Sequence, residues 1–274
     1  MASAIPTPPP WSWPEPNLTA QTQTRPTAPY QTFQQWCEAK DTLSAGARRT
    51  VEVLLAELAV EDCAQAGRRA SVLTLLNLSN RGLTDVTPLA SLPLLSELFL
   101  HYNDIVDITP LGQLPNLRRL NLSRNNISDL TPLGNLENLR FLVLLQNSIS
   151  DLEGMDTLGN LEELYLGNNK IQDLTALSSL TALRKLYISH NQIENVAPLS
   201  PLVNLESLDL SSNQIEDITP LVSLVNLEYL NLNRNRISDA TALRALTDLE
   251  QVYLYNNPLD DFVCPTTNNA VCFI

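Results

Sequence analysis

The chain has 274 residues, of which 44% are hydrophobic and 17% are charged, and this composition is typical of a globular protein. Thirty acidic side chains against seventeen basic ones give a net charge of -13, which repels nucleic-acid phosphates and anionic lipid headgroups. No stretch approaches the roughly 20 consecutive apolar residues that cross a bilayer. The composition therefore argues against nucleic-acid binding and against membrane insertion.

The first segment, residues 1–30, contains eight of the 18 prolines and few aliphatic side chains, so it is predicted to be a disordered leader. Residues 2–4 read Ala-Ser-Ala and resemble a signal-peptidase site, although no apolar stretch precedes them. We therefore expect Met1 to be an internal residue of a longer precursor, whose mature chain begins near Ile5. The alternative is a cytoplasmic protein with a Pro-rich tail.

The next segment, residues 31–72, is predicted to be a helical N-terminal cap. Phe33 and Trp36 fall on one face of a first helix. After a turn, Ser44 is a suitable N-cap for a second helix, whose apolar side chains recur at helical spacing at Val51, Leu54, Leu55 and Leu58. These helices would cover the end of a stacked core, which every repeat array must seal.

The four cysteines fall in two pairs that bracket the middle of the chain, Cys37 with Cys63 and Cys264 with Cys272. Buried thiols would be scattered through the apolar core, so this placement predicts two disulfides that close the ends. The first bridge would pin both cap helices to the first strand. Free thiols remain the alternative, and a zinc site is disfavoured because no histidine lies near either pair. Disulfides would place the protein outside the cytoplasm, in the periplasm or secreted.

Residues 73–259 repeat one 22-residue unit about nine times, and residues 260–274 form a predicted C-terminal cap. In the unit L-x-x-L-x-L-x-x-N-x-I-x-D-I-x-P-L-x-x-L, the segment L-x-L alternates as a strand does. Successive strands lie 22 residues apart, too far for hairpins, so they must be parallel with a crossover between them. The period thus predicts a right-handed α/β solenoid.

Two polar columns share this period. The first is a predicted structural ladder in which each carboxamide pairs with backbone groups: Asn103, Asn125, Asn147, Asn169, Asn191, Asn213, Asn235 and Asn257. The second is an acidic column that we interpret as turn formers and not as calcium ligands, because Asx side chains bond the backbone two residues on. It consists of Asp85, Asp107, Asp129, Asp151, Asp173, Asn195, Asp217, Asp239 and Asp261. The Thr that follows is expected to cap a short helical turn, with Pro at its first position.

The segment from Leu95 to Leu111, LSELFLHYNDIVDITPL, resembles the leucine-rich-repeat family. Within it, the chain is similar to the 22-residue subclass of bacterial internalin-like proteins and of regulatory subunits of protein phosphatase 1. The resemblance implies a curved parallel sheet on the concave face and short helical or 3-10 turns on the convex face. The flanking cysteine pairs look like those of secreted bacterial members, which lowers the phosphatase-regulator alternative. No cell-wall anchor motif follows the repeats, so an adhesin role is not expected.

Function is expected on the concave face, where the strands present their outward side chains. Aromatic groups there, with arginines around them, match the composition of interface hot spots. The candidate contact residues are Phe99, Tyr102, Arg119, Arg124, Phe141, Val143, Leu145, Tyr165, Tyr187, His190, Tyr229, Arg234, Tyr253 and Tyr255. The alternative is that aromatic residues only suit strands. Charges along the leading edge change sign from Arg118 and Arg140 to Glu206, Glu228 and Glu250. This change of sign would either orient an approaching partner or have no role in binding.

Catalytic residues, a metal site and a cofactor are not expected. The two histidines, His101 and His190, lie four repeats apart, roughly 20 Å at ordinary strand spacing, which is too far to share a substrate or a metal. The sequence therefore predicts a monomeric, non-catalytic scaffold that binds another protein outside the cytoplasm. The alternatives are a cytoplasmic subunit that binds an enzyme such as a phosphatase, and a structural envelope protein without a particular ligand.

Overall fold

The computed structural model describes residues 30–260 and 270–274. Three helices form the N-terminal region: α1 (Phe33–Glu38), α2 (Ala45–Leu58) and α3 (Cys63–Ala70), with a short 3-10 turn at Lys40–Thr42. This helical N-terminal region agrees with the predicted fold class. The third helix was not predicted, because it buries only alanines, at Ala66 and Ala70, and so lacks a stripe of large apolar side chains.

Each of these helices begins at a polar side chain that accepts a hydrogen bond from a free backbone N–H. Thr32 and Gln35 form a reciprocal capping box at α1. The Ser44 hydroxyl accepts from the amide of Ala47 at 3.2 Å and starts α2 where the sequence placed its N-cap. Asp62 starts α3 in the same way.

A disulfide joins Cys37 in α1 to Cys63, the first residue of α3. The expectation that this bridge pins both predicted helices to the first strand was wrong, because the second cysteine belongs to the unpredicted helix. Helix α2 is held by packing instead, since Val51 and Leu54 are fully buried. Cys272 is also disulfide-bonded, and Cys264, its expected partner, lies outside the described residues.

The described residues contain ten strands in one sheet, all parallel and paired in sequence order, which confirms the predicted solenoid. Each strand has three residues. They are β1 (Leu75–Asn77), β2 (Glu97–Phe99), β3 (Arg119–Asn121), β4 (Phe141–Val143), β5 (Glu163–Tyr165), β6 (Lys185–Tyr187), β7 (Ser207–Asp209), β8 (Tyr229–Asn231), β9 (Gln251–Tyr253) and β10 (Val271–Phe273). Through β9 the register advances by one repeat, as in Leu98 opposite Leu120. The tenth strand comes from the C-terminal segment and was not predicted.

The core is a stack of leucine and isoleucine columns. The central residue of each of strands β1 to β9 points inward and is buried, while its two neighbours point to the concave side. Side chains such as Leu98, Leu100 and Ile105 are fully buried. Because the buried columns run along the whole array, each repeat contacts mainly the repeats next to it.

The asparagine ladder completes the hydrogen bonds of this core. Asn125 accepts from the amide of Ile105 at 3.0 Å and donates to the carbonyls of Leu100 at 3.0 Å and Leu122 at 2.9 Å. The other seven rungs make the same set of bonds. Each rung therefore ties three backbone groups of two adjacent repeats.

Short 3-10 turns lie opposite the strands, and each follows a residue of the acidic column. They span Thr87–Ser91, Thr109–Gln113, Thr131–Asn135, Met155–Thr157, Thr175–Ser179, Ala197–Leu199, Thr219–Ser223 and Thr241–Ala245. The expectation that Thr caps and Pro stands first was wrong, because Thr87 is the first residue of its turn and Pro88 the second. The hydrogen bond at the start of this turn is made by Asp85 instead, whose carboxylate accepts from the amide of Thr87 at 2.9 Å.

The acidic side chains of this column are held by short local bonds. The Asp173 carboxylate accepts from the Thr175 hydroxyl at 2.6 Å and from its amide at 2.8 Å. These bonds, the hydroxyl first, lower the pKa of Asp173 below its ordinary value. Asp217 and Asp239 have lowered pKa values for the same reason.

Within residues 30–260 and 270–274, no helix is long and apolar enough to cross a membrane.

Candidate protein-binding surface

The concave face carries a row of three aromatic rings, which we name the first ring ladder: Phe141, Tyr165 and Tyr187. The rings of Phe141 and Tyr165 are 5.5 Å apart, and those of Tyr165 and Tyr187 are 4.9 Å apart and parallel. The Arg119 guanidinium lies 4.5 Å from the Phe141 ring centre and extends the row by one strand. Strand register places Tyr165 beside Tyr187 and Arg119 beside Phe141. Phe141 itself stands opposite Glu163, so its ring contacts Tyr165 diagonally across the two strands.

Hydrogen bonds fix the ladder in position. The Tyr165 hydroxyl donates to Glu163 at 2.9 Å, and Lys185 donates to the same carboxylate at 3.1 Å. The Tyr187 hydroxyl lies 2.8 Å from the hydroxyl of Ser207. Burial, and then the bond to Glu163, raise the pKa of Tyr165, so this phenol stays protonated at physiological pH. The face therefore presents ordered rings that need little further ordering to bind a partner.

A second ring ladder lies toward the C-terminus and consists of Tyr229, Tyr253 and Phe273. The ring centres are 5.5 Å and 4.4 Å apart, and the last two rings are nearly parallel. Phe273 was missed by the sequence analysis, because it lies outside the repeats and gains its place only when β10 pairs with β9. The signal that could have found it is the alternation of residues 271–273 around Cys272.

Some of the predicted contact residues do not join a ladder. Val143 is only 7% exposed and stands opposite Asn121 and Tyr165, so it offers little surface to a partner. Phe99 stands opposite Asn77 and Asn121 and has no ring neighbour among the described residues. Leu145 and Tyr255 lie just beyond their strands, on the rim of the face, where Tyr255 is 58% exposed.

Four further candidates share one backbone feature. Each of them directly precedes a ladder asparagine and has a φ between 55° and 58°: Tyr102, Arg124, His190 and Arg234. This left-handed conformation is unfavourable for side chains other than Gly, Asn and Asp. Hydrogen bonds impose it, as in the amide of Tyr102 donating to the carbonyl of Ser123 at 3.0 Å. The Arg124 guanidinium lies 4.6 Å from the Tyr102 ring centre, so the structure brings this pair together on the rim.

The leading edge of the sheet is partly neutralised by pairs between adjacent repeats. Arg140 bonds Glu162, and Arg184 bonds Glu206. These pairs are exposed to solvent, which screens the attraction, so they contribute little to stability. Arg118 has no ion pair with a described residue. It lines a recess of about 570 Å³ beside the first ring ladder. The recess is lined by Thr74, Leu94, Ser96, Glu97, Asn116, Arg118, Arg119, Arg140, Phe141, Glu162 and Glu163.

A family model described as leucine-rich repeats (2 copies) matches seven overlapping windows that run from residue 94 to residue 265. The windows cover more than half of the sequence. The chain belongs to the leucine-rich-repeat family. Members of this family generally serve as protein-binding scaffolds. No curated protein matches the sequence.

Solved structures of this family are similar to the chain. Internalin C2 from Listeria monocytogenes is 32% identical with a TM-score of 0.69, over 74% of this chain and 91% of that one. A leucine-rich-repeat protein of Leptospira interrogans is 31% identical with a TM-score of 0.67, over 70% of this chain and 51% of that one. The ectodomain of the Arabidopsis thaliana receptor kinase GASSHO1/SCHENGEN3, in complex with Casparian strip integrity factor 2, is 28% identical. Its TM-score is 0.60, over 67% of this chain and 24% of that one.

Proposed function

We propose that this protein is a non-catalytic, monomeric scaffold that binds another protein on its concave face. The observation that carries the proposal is the first ring ladder, with Arg119 stacked at its end. Strands that only needed β propensity would not hold three rings in contact on a surface open to solvent. Aromatic and arginine side chains dominate binding hot spots because they bury much area while losing little conformational entropy.

The proposed location is extracytoplasmic. The bridge between Cys37 and Cys63 supports it, since structural disulfides persist in oxidising compartments and are rare in the cytoplasm. The receptor ectodomain named above supports it too, because that relative displays the same fold outside the cell. The alternative, a cytoplasmic subunit that regulates an enzyme such as a phosphatase, requires these thiols to be reduced.

The test is affinity capture with a triple variant, Phe141→Ala, Tyr165→Ala and Tyr187→Ala. We expect the variant to capture at least tenfold less of the partner than the wild type does, because loss of a hot-spot ring typically costs about 2 kcal/mol or more of binding free energy. Captured proteins would be quantified by mass spectrometry.

The matched control replaces three exposed valines outside the strands, Val106, Val222 and Val225, by alanine. This control removes apolar surface elsewhere and should retain the partner fully. Equal capture by the ladder variant and the wild type would contradict the proposal and favour a structural envelope protein.

A further inference from the structure

Strand β7 interrupts the aromatic rows on the concave face. It presents Asp209 opposite Tyr187 of β6 and Ser207 opposite Tyr229 of β8. The first ring ladder ends at Tyr187 on β6, and the second begins at Tyr229 on β8. We name this interruption of the aromatic rows the gap at β7. It is one strand wide, with Tyr187 on the strand before it, Tyr229 on the strand after it and the Asp209 carboxylate on the strand between them.

Unlike the other acidic side chains of the concave strands, Asp209 forms no ion pair with a basic side chain of the described part of the protein. Glu97 lies 3.7 Å from Arg119, and Glu163 lies 3.1 Å from Lys185. No ion pair joins Asp209 to any residue within 30–260 or 270–274. Since these pairs already engage both cations of the concave strands, no cation among the described residues pairs with Asp209.

The fold does not require this charge. Asp209 accepts a hydrogen bond from the amide of Ser211 at 2.9 Å, two residues on. Asn77, Asn121 and Asn231 stand at the equivalent positions of other repeats and accept the same bond at 3.0 to 3.1 Å. A neutral carboxamide is thus sufficient for the turn, and the carboxylate adds only a negative charge.

The two phenols face this charge. Tyr187 stands directly opposite Asp209 in the register, and its hydroxyl bonds Ser207 on the same strand. Tyr229 stands opposite Ser207 on the other side of β7, diagonal to Asp209. Burial, and then the Asp209 carboxylate, raise the pKa of Tyr229. The face of each aromatic ring and the oxygen of each phenol attract positive charge.

We propose that the gap at β7 is the seat of an arginine side chain of the partner protein, held by the Asp209 carboxylate between Tyr187 and Tyr229. A planar guanidinium suits this gap better than an ammonium, because it bonds a carboxylate with two parallel N–H groups while its faces stack on rings. This inference rests on the proposed function and names the chemistry that the partner must offer at the centre of the face.

The test is an NMR titration of the ¹⁵N-labelled full chain with Nα-acetyl-arginine amide. Nα-acetyl-citrulline amide, which has nearly the same shape without the charge, serves as the control probe. We expect saturable shifts of the amides of residues 207–211 with the arginine probe and at least fivefold weaker binding of the citrulline probe. Asp209→Asn keeps the turn bond and should weaken arginine binding by at least fivefold. Asp217→Asn, on the convex side, should leave it unchanged.

Absence of saturable shifts at residues 207–211, equal binding of the two probes, or undiminished binding by Asp209→Asn would each overturn the proposal. The spectrum of Asp209→Asn away from the gap should superpose on that of the wild type, which separates loss of charge from loss of fold. A negative result here would leave the outcome of the capture experiment on the first ring ladder unchanged, so failure of this proposal can be distinguished from failure of the proposed function.

Discussion

At the residue scale, a single amide side chain decides whether two repeats can share a core. The ladder asparagines are nearly buried and bond backbone groups that no strand or turn satisfies. A buried backbone group without a partner costs about 1–3 kcal/mol, more than an extra apolar side chain would return. The column is therefore polar in a core that is otherwise apolar.

Asn125→Leu is expected to lower the free energy of unfolding by at least about 2 kcal/mol, because it strands the amide of Ile105 and two carbonyls. The neighbouring Asn126 is exposed and provides a matched control. Asn126→Leu should change stability by less than about 0.5 kcal/mol. Urea unfolding of the three proteins, followed by circular dichroism, measures the difference, and equal midpoints for both variants would refute the structural role of the rung.

At the element scale, the 3-10 turns pack closely enough that side-chain volume matters at particular glycines. A Cβ on Gly112 would lie 2.5 Å from the carbonyl oxygen of Pro132 in the next turn. A Cβ on Gly159 would meet nothing within 4 Å. The first glycine is required by the packing of neighbouring turns, and the second is not.

Gly112→Ala is expected to destabilise the protein by about 1–3 kcal/mol, since backbone must shift to admit the methyl group. Gly159→Ala, its control, should be neutral or stabilising by up to about 1 kcal/mol through the unfolded chain. Thermal unfolding distinguishes them. A variant at Gly112 as stable as the one at Gly159 would show that the turns are not in close contact.

At the scale of the whole molecule, the array is a one-dimensional stack whose stability adds up from its repeats and their interfaces. Strands β1 to β9 share one register, which the 22-residue period sets. Removal of a complete period should therefore leave every remaining column aligned, whereas removal of half a period should not.

Deletion of residues 205–226, one period, is expected to give a folded protein with a lower melting temperature. Deletion of residues 205–215, half as long, should abolish cooperative unfolding, because the buried leucine and isoleucine positions after the deletion would no longer align with those before it. Far-UV circular dichroism and thermal scans report both outcomes. If the shorter deletion were the better tolerated one, the stacked architecture would be incorrect.

The candidate surface was only partly predictable. Periodicity identifies which side chains face outward, so Phe141, Tyr165 and Tyr187 could be proposed from the sequence. It cannot show that Val143, in the same columns, is covered by its neighbours. Nor can it show that Glu163 and Lys185 neutralise each other, because a pairing between strands depends on distance and rotamer as well as on register.

The repeat by itself determined the parallel sheet, the buried columns and the asparagine ladder, because a fixed period puts the same type of residue at the same structural position in every repeat. Tertiary structure alone decided the features that lie outside the period or between repeats. These are helix α3, strand β10 with Phe273, and the absence of an ion pair at Asp209 among the described residues. Such features arise from contacts between chain segments of different sequence, whose partners a repeat pattern does not specify.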